Sequence, residues 1–381
     1  MARQNLGSHW DVIVFGSGPA GSALGRKLAE RHRVLLLERE LPTNPPRSSE
    51  GWRIGESLPG AAAVLLRRQG LFDRFLADGH VERGASVSVW ESPVPVWFDA
   101  LRDPNGPGWH LDRVRFDAML RNAARDVGVV FSAVSGRVQV LREGAQWYVR
   151  DDRAGRQYRA RVVVDATGRS AALCRSLGLP RHAQDRLVCV HALLPAKEHD
   201  QDRCTRTSAD VDGWWYSVRV PSGERVLAYH LDAGDPALRG LRSAQALLLH
   251  ARRLPLLAPV LPESVSHIST QVRPAGSAVL NIADGVPGPG FYAVGDSVLA
   301  FDPLSSQGLF HALASAERAA TAIAREFEGD LSAGQHYFLE MRHVQARYYK
   351  HLAATYARPV RYCDRPFWAQ RRDQVDWMGT G

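Results

Sequence analysis

Cysteine and lysine are both scarce in this sequence of 381 residues, which holds four cysteines and three lysines. The cysteines lie far apart and form no C-x-x-C pair, which argues against a disulfide framework, a zinc ribbon and a dithiol redox centre. We therefore predict buried free thiols and no metal site.

Long apolar runs are also missing. The most apolar stretch, Ala244 to Leu261, is interrupted by a histidine, two arginines and two prolines, so no membrane-spanning helix is predicted. Residues 1–10 lack the apolar core of a signal peptide, and we expect a cytoplasmic protein.

The charge balance is basic, with a formal net charge of +8. Because only three of the 48 basic residues are lysine, arginine supplies the other 45. The sequence contains no nucleic-acid-binding motif and no compact basic block with interleaved aromatic residues. We interpret the excess as an arginine-rich surface and predict no nucleic-acid partner.

A phosphate-binding pattern opens the chain. An apolar run over 11–15, typical of a buried parallel strand, leads into the G-x-G-x-x-G segment 16–21, a helix over 22–31 and a second strand ending at Glu38. Gly16 permits the tight turn, Gly18 lets the backbone approach a pyrophosphate, and Gly21 lets the helix pack on the strand. Glu38 is placed to accept hydrogen bonds from a ribose. The pattern predicts a dinucleotide site at the helix N-terminus.

Later segments indicate which dinucleotide is bound. A strand over 162–164 runs into a D-x-x-G turn at 165–168, and a strand over 291–294 ends in Gly295-Asp296. The segment D-P-L-S-S-Q-G-L at 302–309 then opens a helix over 310–327. The Asp296 carboxylate suits a ribityl or ribose hydroxyl, and the Gly308 amide suits the electron-rich edge of a reduced flavin.

Together with W-H-L-D-R-x-x-F-D at 109–117, these segments resemble FAD-dependent monooxygenases of the aromatic hydroxylase type, over residues 10 to about 330. The resemblance implies bound FAD, O2 as co-substrate and hydroxylation of an electron-rich aromatic group through a flavin C4a-hydroperoxide. No second G-x-G-x-x-G follows a strand, so NAD(P)H binds transiently or a separate reductase delivers the electrons.

The predicted FAD contacts come from all of these segments, and the resemblance places Arg113 near the phosphates. They are Gly16, Gly18, Pro19, Ala20, Gly21, Glu38, Arg39, Ser57, Arg113, Val138, Thr167, Gly168, Gly295, Asp296, Pro303, Gln307, Gly308 and Leu309.

The segment R-x-G-E-S-L-P at 53–59 resembles the Gly-Glu segment of flavin-dependent tryptophan halogenases. Those enzymes require a lysine beyond that segment, and they carry a W-x-W-x-I-P motif. Here Glu82 stands at the lysine position, and the motif reads Y-S-V-R-V-P at 216–221. An arginine cannot replace that lysine, because its guanidinium stays protonated. Halogenation is therefore the less favoured activity.

A side branch of halogenase-like flavoproteins shares more motifs with the chain. They are G-W-H-L-D-R at 108–113, G-W-W-Y at 213–216, D-P-L-S-S-Q-G at 302–308 and P-F-W-x-x-R-R at 366–372. Some members of that branch modify a tryptophan of a partner protein during tryptophylquinone-cofactor maturation, and others act on small molecules. The resemblance implies an aromatic small molecule or a tryptophan-containing protein or peptide as substrate.

Aromatic residues near these motifs are candidates for substrate contact, because stacked rings suit an indole or a phenol. Trp214, Trp215 and Tyr216 lie on a predicted strand, where alternation turns only some of them inward. Trp90 and Trp97 follow the Gly-Glu segment and are weaker candidates. For a catalytic base, the sequence offers only Glu56, His110 and His311, and Glu56 is equally suited to cap a helix over 57–69.

The predicted fold is α/β, with a Rossmann-like βαβ FAD-binding domain, an inserted mixed β-sheet substrate domain and a C-terminal helical segment. The FAD-binding domain comprises 10–80, 109–182 and 276–330; the substrate domain comprises 81–108 and 183–275; a helical arm comprises 331–381. Between 338 and 373 the arm has eight basic and three acidic residues, which suits either a solvated face or an acidic partner. A reductase of the geranylgeranyl-reductase-like type remains the alternative activity.

Overall fold

The computed structural model describes residues 9–40, 53–136, 138–281 and 288–378, with side chains through Arg372. Parts of the predicted segments 10–80, 109–182, 276–330 and 331–381 lie outside these ranges. Within them, no helix is both long enough and apolar enough to cross a membrane.

The strands are numbered in chain order. They are β1 His9–Phe15, β2 Val34–Glu38, β3 Ser57–Leu58, β4 Val81–Glu82, β5 Ala85–Val89, β6 Val96–Asp99, β7 Trp109–His110, β8 Val130–Ala133, β9 Val138–Glu143, β10 Gln146–Asp151, β11 Arg156–Asp165, β12 Arg181–Ala183, β13 Leu187–Leu194, β14 Cys204–Asp210, β15 Gly213–Arg219, β16 Arg225–Asp232, β17 Gln271–Pro274, β18 Ala278–Leu280, β19 Phe291–Ala293 and β20 Leu299–Ala300.

The α-helices are α1 Pro19–Leu28, α2 Ala62–Arg68, α3 Phe72–Ala77, α4 Arg113–Asp126, α5 Ala172–Ser176, α6 Ala244–Ala251, α7 Gly308–Phe327, α8 Ala333–Tyr356 and α9 Pro366–Met378. Short 3-10 turns occupy Ala100–Arg102, Gly168–Ser170, Pro236–Arg239, Ala258–Val260, Gly295–Ser297, Pro303–Ser305 and Val360–Tyr362.

The first sheet has the order β8-β2-β1-β11-β10-β9, and β19 pairs with the C-terminal half of β11. Its pairs among β8, β2, β1, β11 and β19 are parallel, whereas β10 runs antiparallel to both β11 and β9. The parallel strands are nearly continuous apolar runs because α1, α4 and α7 cover the sheet. Their carboxyl ends therefore meet along one edge, where the glycine loop begins.

The second sheet has the order β17-β13-β16-β15-β14-β5-β6 and is antiparallel except between β14 and β5. One face buries Trp215, Leu227 and Tyr229 against α6. The other face carries Cys189, His230 and Trp214 in one row, because β13, β16 and β15 pair them in register. That row borders the interior cavity described below.

The C-terminal helices α8 and α9 lie against the second sheet. Three indole N–H groups fix them there: Trp90 donates to the Thr355 carbonyl at 2.9 Å, Trp214 to the Tyr356 hydroxyl at 3.0 Å, and Trp368 to the Asp210 carbonyl at 2.9 Å. Because each indole is buried and has its polar atom satisfied, these contacts join helix and sheet into one core.

This architecture is the predicted α/β class with parallel and antiparallel sheets and a helical C-terminal part. The predicted helix over 57–69 is wrong at its start: Ser57–Leu58 forms β3, paired with β7, and α2 begins at Ala62. Pro59 and Gly60 separate the two elements and end the strand. The domain boundaries stay a prediction.

Arg371 of α9 is the buried cation of this interface. Its guanidinium lies 2.7 Å from the Asp232 carboxylate, 3.6 Å from Asp185 and 3.8 Å above the Phe367 ring. We predict that Arg371→Ala lowers the free energy of unfolding by about 3 kcal/mol, because it leaves the buried Asp185 and the partly buried Asp232 without their cation. Urea unfolding measures this loss. The exposed α8 residue Arg342, changed to Ala, is the matched control, and equal losses in both variants would contradict the assignment.

Candidate active site

A cavity of about 1070 Å³ lies between the first sheet and the second sheet. It is slightly larger than most ligand sites, and it is lined by three flavin segments: the glycine loop 16–21, the turn 165–168 and the stretch 295–309. The predicted FAD contacts found on its wall are Gly16, Gly18, Pro19, Ala20, Glu38, Arg39, Ser57, Arg113, Val138, Thr167, Gly168, Gly295, Asp296, Pro303, Gln307, Gly308 and Leu309.

The glycine loop joins β1 to α1 in the way that its sequence predicts. Gly16 has φ +105°, and a Cβ there would lie 2.4 Å from the Ala166 carbonyl oxygen. Gly21 lies off the cavity, and its Cβ would lie 2.0 Å from the Gly16 carbonyl oxygen. A Cβ on Gly18, in contrast, would meet no protein atom within 4 Å. The space beside Gly18 is therefore open for a ligand.

Glu38, at the end of β2, is bonded to the glycine loop. Its Oε2 accepts hydrogen bonds from the Ser17 amide at 2.8 Å and the Ser17 hydroxyl at 2.9 Å, and its Oε1 accepts from the Arg39 amide. The carboxylate is thus held at the cavity wall with acceptor capacity left over for a diol.

Asp165 ties the second flavin segment to the third. Its Oδ1 accepts from the Thr167 amide, the Thr167 hydroxyl and the Ser297 hydroxyl at 2.9, 2.7 and 2.9 Å, and its Oδ2 accepts from the Cys174 amide at 2.8 Å. The side chain is fully buried. Asp165 therefore shapes the Thr167–Gly168 turn, while Thr167 and Gly168 themselves border the cavity.

Asp296, which precedes Ser297 in the third flavin segment, lies among cations on the cavity wall. Arg169 is 3.5 Å from its carboxylate, and Arg181 donates to its backbone carbonyl and to that of Arg169. Burial raises the pKa of Asp296, while the charges of Arg169, Arg181 and Arg113 oppose that rise. An acceptor carboxylate held between cations suits a hydroxyl-rich ligand chain.

Arg113 begins α4 and fixes the Gly-Glu segment. Its guanidinium binds both Asp117 oxygens at 3.1 Å and donates to the carbonyls of Ile54 and Gly55. Gly55 has φ +103°, a conformation that glycine tolerates, and this turn directs Glu56 inward. Most of the hydrogen-bond donors of Arg113 are therefore used within the protein, although the side chain also borders the cavity.

Glu56 is a buried carboxyl on the cavity wall. Its Oε2 accepts from the Gly55 amide at 2.8 Å, whereas Oε1 has no well-formed hydrogen bond among the described residues. Burial raises the pKa of Glu56, and the nearby Tyr216 hydroxyl and the Arg113 charge oppose that rise. Glu56 and Tyr216 therefore form a buried polar pair on the cavity wall.

Asp302 is a second buried carboxyl, at the start of the segment 302–309. Its Oδ2 accepts from the Tyr356 hydroxyl at 2.7 Å, and its amide donates to the Tyr348 hydroxyl at 2.6 Å. Burial raises the pKa of Asp302 to about 6. Two tyrosines of α8 therefore position the loop that carries Gln307 and Gly308 on the cavity wall.

Two aromatic residues of the predicted G-W-W-Y segment line the cavity, and two other candidates do not. Trp214 and Tyr216 lie two positions apart on β15 and face inward. Trp215 points to the other face, where it stacks on Tyr229 at 4.3 Å and donates to Asp210. Trp90 packs edge-on against Trp368 outside the cavity wall. Neither Trp90 nor Trp215 borders the cavity, and their substrate role stays a prediction.

The weaker candidates are also placed elsewhere. Trp97 lies on the edge strand β6 with 62% of its side chain exposed. His110 is buried against the Thr205 hydroxyl at 2.9 Å, away from the cavity. His311 of α7 packs edge-on against Phe301 and borders a separate cavity of about 470 Å³ between α7 and α8. Of the three base candidates, only Glu56 reaches the main cavity.

Among the cavity-lining residues that the sequence reasoning missed are Cys189, His230 and Arg273. They belong to one row across β17, β13, β16 and β15, in which Arg273, Cys189, His230 and Trp214 are successive cross-strand partners. The predicted strands over 187–194, 214–220 and 225–231 contained part of this signal. Only the register of their pairing places His230 beside Trp214.

FAD fits these residues. The open space at Gly18, the acceptor carboxylate of Glu38 and the free N-terminus of α7 at Gly308 match the pyrophosphate, the ribose and the flavin edge in the predicted order. Within the described residues, no group of three or more metal-ligating side chains is found.

Comparisons with known proteins agree with this geometry. The tryptophan halogenase family model matches residues 95–242. The protein LodB of Marinomonas mediterranea, named as an FAD-dependent oxidoreductase, is 26% identical over 95% of this chain and 96% of its own.

Two solved structures share the fold. CmlS, a flavin-dependent halogenase, is 22% identical, with a TM-score of 0.79 over 98% of this chain and 70% of that chain. QhpG, a peptidyl tryptophan dihydroxylase essential for tryptophylquinone cofactor biogenesis, is 23% identical, with a TM-score of 0.72 over 96% of this chain and 79% of that chain.

The chain is therefore similar to flavin-dependent halogenases and related flavoproteins, which confirms the predicted resemblance. The comparisons also confirm the prediction of an FAD-dependent oxidoreductase.

The last two glycines of the loop, Gly18 and Gly21, allow cofactor binding to be separated from folding. In Gly18→Ala the new methyl enters open space, so we predict an unchanged Tm of the apoprotein and FAD affinity lowered at least about ten-fold, or about 1.4 kcal/mol. In Gly21→Ala the methyl meets the Gly16 carbonyl, so folding and FAD binding both suffer. Fluorescence titration with FAD and thermal unfolding measure the pair. Normal FAD affinity in Gly18→Ala would contradict this site.

Buried neutral histidines make stability depend on pH. Burial lowers the pKa of His110 to about 3, whereas an unfolded histidine has a pKa of about 6.5. The unfolded state therefore binds one more proton between these values, and stability falls as the pH falls through that range, by about 1.4 kcal/mol per pH unit for each such histidine.

We predict that His110→Gln reduces this pH dependence by about one proton between pH 5 and 6, measured from urea unfolding at several pH values. The exposed His250, changed to Gln, is the control and leaves the dependence unchanged. An identical dependence in His110→Gln and the parent protein would show that His110 is not neutral in the folded state.

Proposed function

We propose that the protein is an FAD-dependent monooxygenase that hydroxylates an aromatic, indole-like group, and that a tryptophan side chain in a peptide or protein is its substrate. The observation that carries this proposal is the composition of the cavity wall. The wall includes Trp214, Tyr216 and Glu56 together with Gly308, the first residue of α7. Aromatic walls with few polar groups are typical of sites for planar ring substrates.

Bound FAD supplies the activation of O2. The overall reaction balances as one aromatic C–H, one O2, one NAD(P)H and one proton giving an aromatic C–OH, water and NAD(P)+. The protein's part is to hold the ring, to exclude water and to keep the 302–309 loop in place. The buried Asp302–Tyr356 hydrogen bond at 2.7 Å supports the last of these roles.

The lysines argue against halogenation. Lys27 pairs with Glu30 at the surface, Lys197 donates to the Pro259 carbonyl, and Lys350 is exposed on α8. These are all the lysines of the chain, and none is among the described residues of the cavity wall. Because the chain matches the tryptophan halogenase family model and resembles CmlS, halogenation is the alternative that the experiment must exclude.

A tryptophan side chain is the proposed target because QhpG, which shares the fold, acts on peptidyl tryptophan. The cavity wall also includes the aromatic residues Trp214 and Tyr216, which suit an indole ring. The motifs 108–113, 213–216 and 366–372 resemble the branch that contains such enzymes, but they do not choose between a peptide tryptophan and a small molecule.

The test uses the FAD-loaded protein with NADH, a flavin reductase, N-acetyltryptophanamide and tryptophan-containing peptides under ¹⁸O2. We expect products heavier by one or two ¹⁸O atoms, with no product when O2 is absent. The same mixture with bromide must give no brominated product.

A brominated product would replace the proposal with halogenation. Reduction of a quinone or an isoprenoid double bond without O2 would replace it with the reductase alternative. The Gly18→Ala variant, which folds but binds FAD weakly, is the control for chemistry that does not depend on the site.

A further inference from the structure

The second cavity, of about 470 Å³, is a groove between α7 and α8, and the proposed reaction does not use it. We call it the α7–α8 groove. Its lining residues on α8 run along one face of that helix, from Val344 to Thr355. At 1.5 Å per residue this face is about 16 Å long, the length of about three helical turns or about five extended residues.

The walls of the α7–α8 groove are largely apolar. Four of its apolar side chains are partly exposed: Leu304, Phe310, Val344 and Leu352. The apolar surface continues across α7, because Phe310 and Ala314 also border a cavity of about 360 Å³ next to α2. A ligand in the groove therefore meets accessible apolar side chains from α7, α8 and the segment 302–309.

The charged residues of the groove are basic. Arg318 of α7 and Arg347 and His351 of α8 line it and are exposed, and no acidic residue is among the described residues of its wall. Arg347 makes no ion pair and no side-chain hydrogen bond with a described residue. Arg318 lies 3.5 Å from Glu340, but both side chains are about half exposed, and such a surface pair holds its arginine weakly.

Apolar walls with a basic rim match an acidic, amphipathic segment of another polypeptide. Apolar side chains spaced i, i+3, i+4 and i+7 fill a groove between helices, and carboxylates beside them meet the rim cations. A small aromatic acid would fill only part of a groove of this length. A lipid bilayer is also a poorer match, because the apolar side chains are recessed between two helices and a membrane requires an apolar face that can enter it.

We propose that the α7–α8 groove is a docking site for an acidic, apolar segment of a partner polypeptide. Leu304, Ser305 and Gln307 form part of its wall, and Gln307 also borders the main cavity. A partner docked here therefore contacts the segment 302–309, which contributes to the flavin site. The inference does not depend on which aromatic substrate the protein oxidises.

The test uses the FAD-loaded protein and fluorescein-labelled peptides of twelve residues. The first peptide has leucine at four positions spaced i, i+3, i+4 and i+7 and glutamate at the others. Fluorescence anisotropy at 0.15 M salt measures its dissociation constant. We expect this peptide to bind at least ten-fold more tightly than a peptide with lysine in place of glutamate, and than one with serine in place of leucine.

Charge reversal on α8 locates the binding site. Arg347→Glu replaces an attraction in the groove by a repulsion, so we expect the glutamate peptide to bind about ten-fold more weakly, or by about 1.4 kcal/mol. Arg342→Glu is the matched control, because it makes the same charge change at an exposed position of α8 outside the groove. Salt screens that distant charge, and we expect less than a two-fold effect. Retained FAD and an unchanged circular dichroism spectrum show that each variant is folded.

Equal weakening by Arg347→Glu and Arg342→Glu would overturn the inference, because binding would then follow the net charge of the protein. Equal binding of the three peptides, or binding of none, would also overturn it. Two further measurements address other occupants. A dimer of the parent protein that Arg347→Glu disrupts would make a second copy of the chain the occupant, and binding to anionic phospholipid vesicles in place of the peptide would make it a membrane surface.

Discussion

The buried carboxylate of Asp165 is the constraint on which the cofactor side of the cavity depends. It stands at the end of the central strand β11, is fully buried and accepts four hydrogen bonds, from Thr167, Cys174 and Ser297. Ser297 belongs to the third flavin segment, so one side chain joins two segments that lie more than 130 residues apart. The first segment is joined to β11 through the parallel pairing of β1. The cavity wall is thereby assembled from three distant stretches of chain.

A second set of contacts fixes the wall on the substrate side. The tyrosines of α8 hold Asp302, and the same Tyr356 receives the Trp214 indole N–H. Arg371 of α9 packs on the Phe367 ring and pairs with Asp232 at the end of β16. The C-terminal helices therefore position both the loop at the α7 N-terminus and the row that contains His230. A change in these helices is expected to reach the cavity without touching it directly.

The cofactor side could be predicted from the sequence because its determinants are local. A glycine that needs a positive φ, an acidic residue at a strand end and a helix that starts at a phosphate each leave a short motif. The substrate side could not, because it depends on strand register. Alternation predicts that Trp214 and Trp215 face opposite ways but not which of them faces the cavity. For the same reason, the position of His230 on the cavity wall could not be predicted without the pairing of β15 with β16. His110 and His311 were candidates only because they lie near a motif in the sequence.

The central claim is that the cavity couples O2 consumption to oxidation of an aromatic ring. The most direct measurement follows O2 uptake, H2O2 release and NADH consumption together, with and without N-acetyltryptophanamide. Our account predicts that the aromatic compound raises O2 uptake while the share of O2 recovered as H2O2 falls, because a ring held in the cavity captures the oxygen. Complete recovery of O2 as H2O2 with every aromatic compound tested, or turnover that continues without O2, would contradict it.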